Sequence, residues 1–298
     1  MGLGYLLCRA ADTLADTRLA PGAERLKALE AFRAAFENGT PAGAAPDANA
    51  VPEGVRHGGP AGQGAAPAAG FARHQASPAE RELLDRLGEL VELWKRFPER
   101  ERGLARAVLF GVIDGMRMDM ALFPGDSAAG LKALSGAGQL EQYCAYIGGE
   151  PGLFWTELCL ARLPALAGAD GAALRRSGLR LGKGLQITNI LRDIPKDLRI
   201  GRCYLPEDEL REAGLTPRDL LDPGSAERLR PVLARWLRWG LWNLEAGAEY
   251  VEAMPGLRLK AAVAWPLLLS VKTLTLVWRS RELLRRDRAV KVSRGKVY

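Results

Sequence analysis

The sequence predicts an all-α protein, and three observations lead to that fold class. Apolar residues recur at helical spacing over most of the 298 residues. Runs of alternating β-branched residues are absent, and a strong helix-start signal precedes one of the apolar runs. Hydrophobic residues make up 48% and charged residues 26% of the chain, which is ordinary for a globular protein with a sizeable core.

The individual helices follow in chain order from their apolar periodicity. The first spans Tyr5–Thr17. The second runs through Glu80–Arg96, and the N-cap residue Ser77, followed by Pro78 and by Glu80 three positions on, marks its start. Further helices are predicted at Gly103–Leu122, Gly130–Ile147, Leu153–Ala161, Ala172–Leu198, Pro231–Ala253 and Leu259–Arg286.

One segment, Gly39–Pro78, departs from this pattern. It is crowded with Gly, Ala and Pro and lacks hydrophobic periodicity, so it is predicted to be a flexible loop or insertion. It need not mark a domain boundary, because about forty residues precede it and these are too few for a core of their own.

The stretch Ala261–Trp278 is apolar enough to raise the question of a transmembrane helix. Lys272 lies inside it and Pro266 interrupts it, and a charged side chain in the middle of a bilayer is costly. We therefore favour a buried helix within a large helical bundle.

Charge, histidine and cysteine usage narrow the chemistry. The net charge of +7 suits an anionic partner without choosing among phosphates, lipid or nucleic acid. The only two histidines, His57 and His74, lie in the Gly/Ala/Pro-rich segment, which argues against a His-based triad or metal site. The four cysteines are far apart and residues 1–20 lack a signal-peptide pattern, so we expect a reduced, intracellular protein.

Two stretches each hold a pair of aspartates four residues apart, with an arginine just upstream. On a helix such aspartates share a face and repel each other, and more so if they are partly buried. Mg²⁺ between the carboxylates would relieve this, and the arginines would meet the remaining phosphate oxygens of a substrate. The two sets are Asp12 and Asp16 with Arg9, and Asp193 and Asp197 with Arg192.

The spacing alone slightly favours two solvated helix faces. The context favours a site, because a polar stripe runs along an otherwise apolar helix, as in the lining of an internal cavity. The stripe consists of Gln186, Asn189, Asp193 and Asp197, among Leu185, Ile187, Ile190, Leu191 and Ile194.

Three motifs and the C-terminus make a family recognisable. They read YLLCRAADTLAD (Tyr5–Asp16), EQYCAYIGGEPG (Glu141–Gly152), GLQITNILRDIPKDLRIGRCYLP (Gly184–Pro206) and VKVSRGKVY (Val290–Tyr298). The chain resembles the squalene/phytoene synthase family, and most of all its bacterial squalene synthases. The resemblance implies a single domain over residues 1–298, folded as a helical bundle around a central cavity. It also implies a transferase that joins two prenyl diphosphates head to head.

The resemblance also implies a role for each residue that matches a family motif. Carboxylates on opposite sides of the cavity would hold Mg²⁺, arginines would contact diphosphate, and a tyrosine would act near the reacting carbons. The implied metal ligands are Asp12, Asp16, Asp193 and Asp197; the implied substrate contacts are Arg9, Gln186, Asn189, Arg192, Arg202 and Tyr204; the implied catalytic residues are Tyr146, its companion Tyr143, and Arg9.

Within the family, one branch reduces a cyclopropyl diphosphate intermediate to squalene with NADPH. The runs Gly152–Thr156 and Ala264–Thr273 look more like that branch, as do Lys291 and Arg294. The resemblance thus implies two farnesyl diphosphates as substrates, and NADPH bound by Asn189, Lys291 and Arg294. A solvated basic tail is the alternative for these C-terminal side chains, and dehydrosqualene, hydroxysqualene or phytoene are the alternative products.

The sequence departs from the family in three places. The Ser-Arg-Thr-Phe-like segment that usually precedes the first Asp motif is not present, which leaves a catalytically impaired protein that binds lipid surfaces as an alternative. Glu150 and Pro151 replace the usual residues after Tyr146 and are expected to perturb the helix there. Pro195 is expected to bend its helix and to make Asp197 a weaker ligand than Asp193.

A terpene cyclase is a further alternative, although two matched Asp motifs count against it. As partner we expect a prenyl diphosphate and not nucleic acid. The protein is expected to be a cytoplasmic monomer that contacts membranes peripherally, because a hydrocarbon product must leave into lipid.

Overall fold

The computed structural model describes residues 1–17, 20–37, 71, 72, 75, 77–285 and 290. Helices dominate it, as the sequence predicts. The elements are α1 (Gly2–Asp16), α2 (Gly22–Ala34), α3 (Pro78–Asp85), α4 (Leu87–Lys95), α5 (Glu99–Leu122), β1 (Lys132–Leu134), α6 (Ala137–Cys144), a π turn (Ala145–Gly149), α7 (Glu150–Arg162), α8 (Gly171–Arg199), β2 (Arg202–Pro206), α9 (Glu207–Glu212), α10 (Ala226–Ala253) and α11 (Gly256–Arg279).

By its internal contacts the chain divides into two compact units. One comprises Met1–Gly4 with Pro98–Tyr298, and the other comprises Tyr5–Phe97. The single domain over residues 1–298 stays a prediction. The insertion predicted at 39–78 falls largely outside the described residues.

Helix α8 lies at the centre of the larger unit, where it packs against α7, α10 and α11. Its apolar side chains are removed from water, and they belong to one continuous core with residues of α10 and α11. Burial of this kind is what stabilises long helices of ordinary propensity. The buried α8 residues include Ile187, Ile190, Leu191, Ile194 and Leu198.

A short parallel sheet joins two parts of the larger unit. Lys132 of β1 pairs with Arg202 of β2, and Ala133 pairs with Cys203. The sequence analysis missed both strands and predicted a helix over Gly130–Ile147. That prediction was wrong for β1, since a three-residue strand is too short to show periodicity and is determined by its distant partner.

The smaller unit packs α1 and α2 with the α3–α4 pair. The rings of Phe36 and Trp94 meet edge to face with centroids 5.1 Å apart. The buried side chain of Arg25 donates from Nη1 to the carbonyl oxygen of Ala15 at 3.0 Å. This bond satisfies a carbonyl in the last turn of α1, so it anchors the end of the helix that carries the first Asp motif.

The helix predicted over Glu80–Arg96 is two helices. The Ser77 hydroxyl accepts the Glu80 amide as the predicted N-cap bond, but α3 ends at Asp85 and α4 begins at Leu87. Arg86 lies between them outside the helical region, at φ −102° and ψ 16°. The break adjoins Gly88, the weakest helix former in the stretch.

Helix α11 is long and apolar enough to cross a membrane by length and composition, with a mean hydropathy of 1.5 over its most apolar window. The expectation of a buried helix was wrong, because only 28% of that window is buried. The helix also ends at Arg279, before the predicted Arg286. One of its faces packs on the core and the opposite face meets solvent.

Candidate active site

The first Asp motif lies on α1, within the unit Tyr5–Phe97. Leu7, Ala10, Ala11 and Leu14 form the buried side of the helix. Asp12 is half-buried and Asp16 is exposed. The helical repeat therefore places Asp12 and Asp16 on one face, as their spacing predicts, and that face lies opposite the buried side of α1.

Arg9 is tied to two carboxylates. It forms ion pairs with Asp12, one turn further along α1, and with Glu80 in the first turn of α3. Burial raises the pKa of Asp12, and repulsion from Asp16 raises it further, whereas Arg9 lowers it. A cation bound at Asp12 would therefore relieve both a desolvation cost and a repulsion.

A groove of about 930 Å³ opens beside Arg9 in the same unit. That volume falls within the range of sites for small ligands. Its lining is both apolar and charged, so it does not by itself select a ligand. The lining residues include Leu6, Leu83, Leu90 and Leu93, and also Glu80, Glu82, Glu89, Glu92, Arg86 and Arg96.

The second Asp motif lies on α8, in the larger unit. Gln186, Asp193 and Asp197 are half-buried, whereas Asn189 is exposed. Arg192 forms a bidentate ion pair with Asp193, donating from Nε to Oδ1 at 2.9 Å and from Nη2 to Oδ2 at 2.6 Å. The members of the polar stripe thus differ in exposure, with Asn189 the most solvent-accessible, and the stripe as the lining of an internal cavity stays a prediction.

Asp197 has the most perturbed carboxyl group of the motif. Burial raises its pKa to about 7, and the nearby Asp193 carboxylate contributes to the shift, while Lys196 and Arg202 oppose it. Helix α8 continues through Pro195 to Arg199. The helix therefore does not end at the proline, and the ranking of Asp197 below Asp193 as a metal ligand stays a prediction.

A buried polar cluster adjoins Asp197. Arg202 forms an ion pair with Asp119 at 2.8 Å, and both side chains are almost completely buried. The Tyr204 hydroxyl donates to the same Asp119 carboxylate. The Tyr143 ring stacks on Tyr204 with centroids 4.8 Å apart, and the two hydroxyl groups lie 3.3 Å apart.

This cluster gives Arg202 and Tyr204 a defined environment. The charge of Arg202 is already compensated by Asp119, so its direct contact with diphosphate stays a prediction. Burial raises the pKa values of both Tyr143 and Tyr204, so both phenols keep their protons near neutral pH. Asp197, Arg202 and Tyr204 also line a cavity of about 10 Å³, which is room for about one water molecule.

Tyr146, the other tyrosine of the family motif, lies on the π turn Ala145–Gly149 and is half-buried. The turn lies immediately before Glu150 and Pro151, and the perturbation expected from these two residues stays a prediction. Such turns often occur at functional sites. The turn packs tightly against α8, since a Cβ atom on Gly148 would overlap the carbonyl oxygen of Gly182.

The donor sets fit Mg²⁺. Each motif offers two carboxylates four residues apart, and burial together with repulsion from its neighbour raises the pKa of one of them, Asp12 in the first motif and Asp197 in the second. Mg²⁺ is typically held by one or two carboxylates together with substrate phosphates. Within the described part of the chain, no group of three or more His, Cys, Asp or Glu residues that could hold a metal occurs.

Several residues named in the sequence analysis lie outside the described part of the chain. They are Lys291 and Arg294 of the expected NADPH site, and both histidines. The four cysteines are described and are all free.

The sequence analysis missed two partners of the candidate site. Glu80 was read only as a helix-start signal, yet it binds Arg9. Asp119 was not singled out, yet it holds Arg202 and Tyr204. Asp119 shares a face of α5 with the buried Val112 and Met116. A carboxylate within an apolar helix face is the sequence signal that could have identified it.

A family model described as "Squalene/phytoene synthase" matches residues 1–296. The chain belongs to the squalene/phytoene synthase family. This is a family of prenyltransferase-type enzymes, and membership confirms the resemblance carried by the three motifs.

Among curated proteins, squalene/phytoene synthase family members from plants are similar to this chain. "Phytoene synthase, chloroplastic" of an Oncidium hybrid cultivar is 32% identical over 161 residues, or 54% of this chain and 35% of the relative. "Phytoene synthase 1, chloroplastic" of Arabidopsis thaliana is 31% identical over 176 residues, or 59% of this chain and 35% of the relative. The chain thus matches about a third of the length of these relatives.

Solved structures confirm the fold. A ligand complex of TcSQS has a TM-score of 0.72 at 20% identity, covering 99% of this chain and 74% of the other. A dehydrosqualene synthase in complex with a ligand has a TM-score of 0.64 at 21% identity, covering 99% and 81%. The squalene synthase HpnC from Alicyclobacillus acidocaldarius has a TM-score of 0.56 at 18% identity, covering 92% and 80%.

Proposed function

We propose that this family member condenses two molecules of one prenyl diphosphate head to head, through a cyclopropyl diphosphate intermediate. The observation that carries the proposal is the pair of Arg–Asp motifs, in which Asp12 and Asp197 have raised pKa values and Arg9 and Arg192 form ion pairs with Asp12 and Asp193. Such an arrangement suits a cation and a diphosphate better than it suits an empty helix face.

The arginines of the motifs bind and orient the diphosphate groups. Arg192 uses two of its N–H donors on Asp193, and its remaining donors are available to phosphate oxygens in the fork geometry that suits them. Arg9 plays the same part in the first motif. Asp12 and Asp16 in the first motif, and Asp193 and Asp197 in the second, would hold Mg²⁺, which would supply further positive charge to the departing diphosphate.

The tyrosines serve the carbocation side of the reaction. Tyr146 presents a phenol and an aromatic face from the π turn, which can stabilise an allylic cation and relay the proton lost on forming the cyclopropane ring. Tyr143 and Tyr204 are held neutral by burial, so they act as hydrogen-bond donors and acceptors rather than as bases. Apolar α8 side chains around them keep water away.

The first candidate product is squalene, made from two farnesyl diphosphates with hydride supplied by NADPH. The runs Gly152–Thr156 and Ala264–Thr273 support it. The second candidate is phytoene, made without a reductant, because the similar curated relatives are named phytoene synthases.

Product analysis tests the proposal. The protein is incubated with Mg²⁺ and either farnesyl or geranylgeranyl diphosphate, each with and without NADPH, and the lipid extract is analysed by mass spectrometry. A C30 hydrocarbon that requires NADPH supports squalene, and a C40 product without NADPH supports phytoene. A C30 product without NADPH indicates dehydrosqualene or hydroxysqualene. A cyclic C15 product or the absence of turnover contradicts the proposal.

Two substitutions connect the product to the site. Asp12→Asn and Asp193→Asn are each expected to lower turnover on the order of a hundredfold or more, because a ligand for the charge-neutralising cation is lost. Asp85→Asn removes an exposed carboxylate of α3 and serves as the matched control, with turnover unchanged. Wild-type rates in both motif variants would remove the metal assignment.

A further inference from the structure

The exposed face of α11 is an unusual surface for a helix that packs on a core. Its inward face holds Val263, Leu274 and Val277, which are buried. Its outward face is also apolar. Leu257 is 82% exposed and Leu268 is 64% exposed.

From Leu257 to Val271 the outward apolar residues recur every three or four positions, and Trp278 follows seven positions later, so all of them share one side of the helix. Isolated exposed apolar residues are common in proteins, whereas a continuous stripe along a whole helix marks an interaction surface. We call this stripe the α11 face, and it consists of Leu257, Ala261, Trp265, Leu268, Val271 and Trp278.

The charges of α11 indicate what covers this face. The helix carries Arg258, Lys260, Lys272 and Arg279 and no acidic residue. Of these, Lys272 and Arg279 are exposed within or beside the stripe. An apolar stripe flanked by basic side chains complements a bilayer with anionic headgroups.

The tryptophans agree with this partner. Trp265 and Trp278 are 49% and 44% exposed, and an indole combines an apolar body with an N–H donor, which suits the boundary between acyl chains and headgroups. A second copy of the chain is a poorer partner, because apposing two such faces would bring like charges together.

We infer that the α11 face docks the protein on the surface of an anionic bilayer, with α11 lying in the interface rather than crossing it. The opposite face of the helix packs on α8 and α10, and crossing would place Lys272 in hydrocarbon. The inference rests on the proposed function in one respect, since a long hydrocarbon product has to pass into lipid.

Vesicle flotation tests the inference without any prenyl substrate. The full chain is mixed with vesicles of phosphatidylcholine alone or of phosphatidylcholine with phosphatidylglycerol. We expect flotation with the anionic vesicles, much less with the neutral ones, and release at high salt, since salt screens the charge contribution. Absence of flotation with the anionic vesicles would overturn the inference, as would binding that high salt leaves unchanged.

Two variants locate the contact. Leu257→Asp together with Leu268→Asp is expected to weaken partitioning on the order of tenfold or more, because each removes apolar area and adds a repelled charge. Phe97→Asp is the matched control, since Phe97 is 39% exposed but lies outside α11, and it should float like the wild type. Circular dichroism melts confirm that each variant is folded.

Lys272→Glu with Arg279→Glu provides an independent variant, which should lose binding to anionic vesicles with the apolar stripe intact. Wild-type flotation of both α11 variants would overturn the inference. So would a dimer, seen by light scattering, that Leu268→Asp dissociates. Turnover measured in detergent separates the two proposals. Turnover without vesicle binding contradicts only the docking surface, and vesicle binding without turnover contradicts only the proposed reaction.

Discussion

At the residue scale, the buried pair of Arg202 and Asp119 is the most constrained part of the candidate site. Asp119 accepts from both Arg202 and Tyr204, and Tyr143 stacks on Tyr204. The four side chains come from α5, α6 and β2, so a single carboxylate holds three elements in register beside Asp197. Asp119 is therefore a positioning residue.

Asp119→Asn should destabilise the protein by about 3 kcal/mol, because it leaves the buried guanidinium of Arg202 without a compensating charge. Urea unfolding measures the change. The double variant Asp119→Leu with Arg202→Met removes both charges and should recover most of the lost stability. The single variants Asp119→Leu and Arg202→Met are measured for comparison. If the double variant loses as much stability as the two single variants added together, the ion pair is not what holds the cluster together.

The raised pKa of Asp197 makes a second prediction at this scale. Its value of about 7 in the folded protein exceeds about 3.9 for an unfolded chain. The folded state therefore binds the proton more tightly, and the cost of ionising Asp197 grows as the pH rises from about 4 to 7.

Without metal, Asp197→Asn should consequently stabilise the protein by up to about 4 kcal/mol at pH 8, and the gain should be largely gone at pH 4. Denaturant titrations in a chelator at the two pH values measure this. Asp85→Asn, which changes an exposed carboxylate, should show no such difference. An equal effect of Asp197→Asn at both pH values would contradict the assigned protonation.

At the element scale, the contact between the π turn and α8 determines where Tyr146 lies. Gly148 and Gly182 approach so closely that a Cβ atom on either would overlap the other's carbonyl oxygen. Because both partners are backbone, neither can move aside as a side chain would.

Gly182→Ala should cost about 2 kcal/mol of stability and lower turnover, since the turn that carries Tyr146 has to move away from α8. Thermal melts and product assays measure the two effects. Gly103→Ala in α5 is the matched control, because nothing lies within 4 Å of its added methyl. That control should gain up to about 1 kcal/mol from helix propensity, and a loss of the same size in both variants would show that the close approach is irrelevant.

The helices were predictable from the sequence where their apolar faces are regular. The apolar residues of α1, α8 and α10 recur every three or four positions, and the buried face of each helix is the one that this pattern predicts. The strands β1 and β2 were not predictable from the sequence, because they pair residues about seventy positions apart, and no local stretch of sequence contains both partners.

The candidate site divides along the same line. The Asp motifs were readable because each lies within one helix. Glu80 joins the first motif, and Asp119 joins the cluster beside Asp197, only through tertiary contacts. The exposed side of α11 was misread for a related reason. Apolar composition does not distinguish a helix that is buried all round from one that covers a core on one side and exposes the other.

At the scale of the whole molecule, the proposed reaction needs both Asp motifs although they belong to different compact units. Ligand-induced stabilisation tests this requirement without turnover. A ligand that binds only the folded protein raises its melting temperature, and a hundredfold excess over the dissociation constant contributes about 2.7 kcal/mol. Mg²⁺ and inorganic diphosphate should therefore stabilise the protein together by more than the sum of their separate effects, since each supplies ligands to the other.

The decisive comparison is between the two motif variants. Asp12→Asn and Asp193→Asn should each abolish most of the joint stabilisation by Mg²⁺ and diphosphate, because each removes a carboxylate from one of the two motifs. Asp85→Asn should retain it, since it removes an exposed carboxylate outside both motifs. Melting temperatures recorded with Mg²⁺, diphosphate, both or neither measure the effect for each protein. If only one motif variant loses the joint stabilisation, a single motif binds the ligand, and the reaction proposed for the whole chain loses its physical basis.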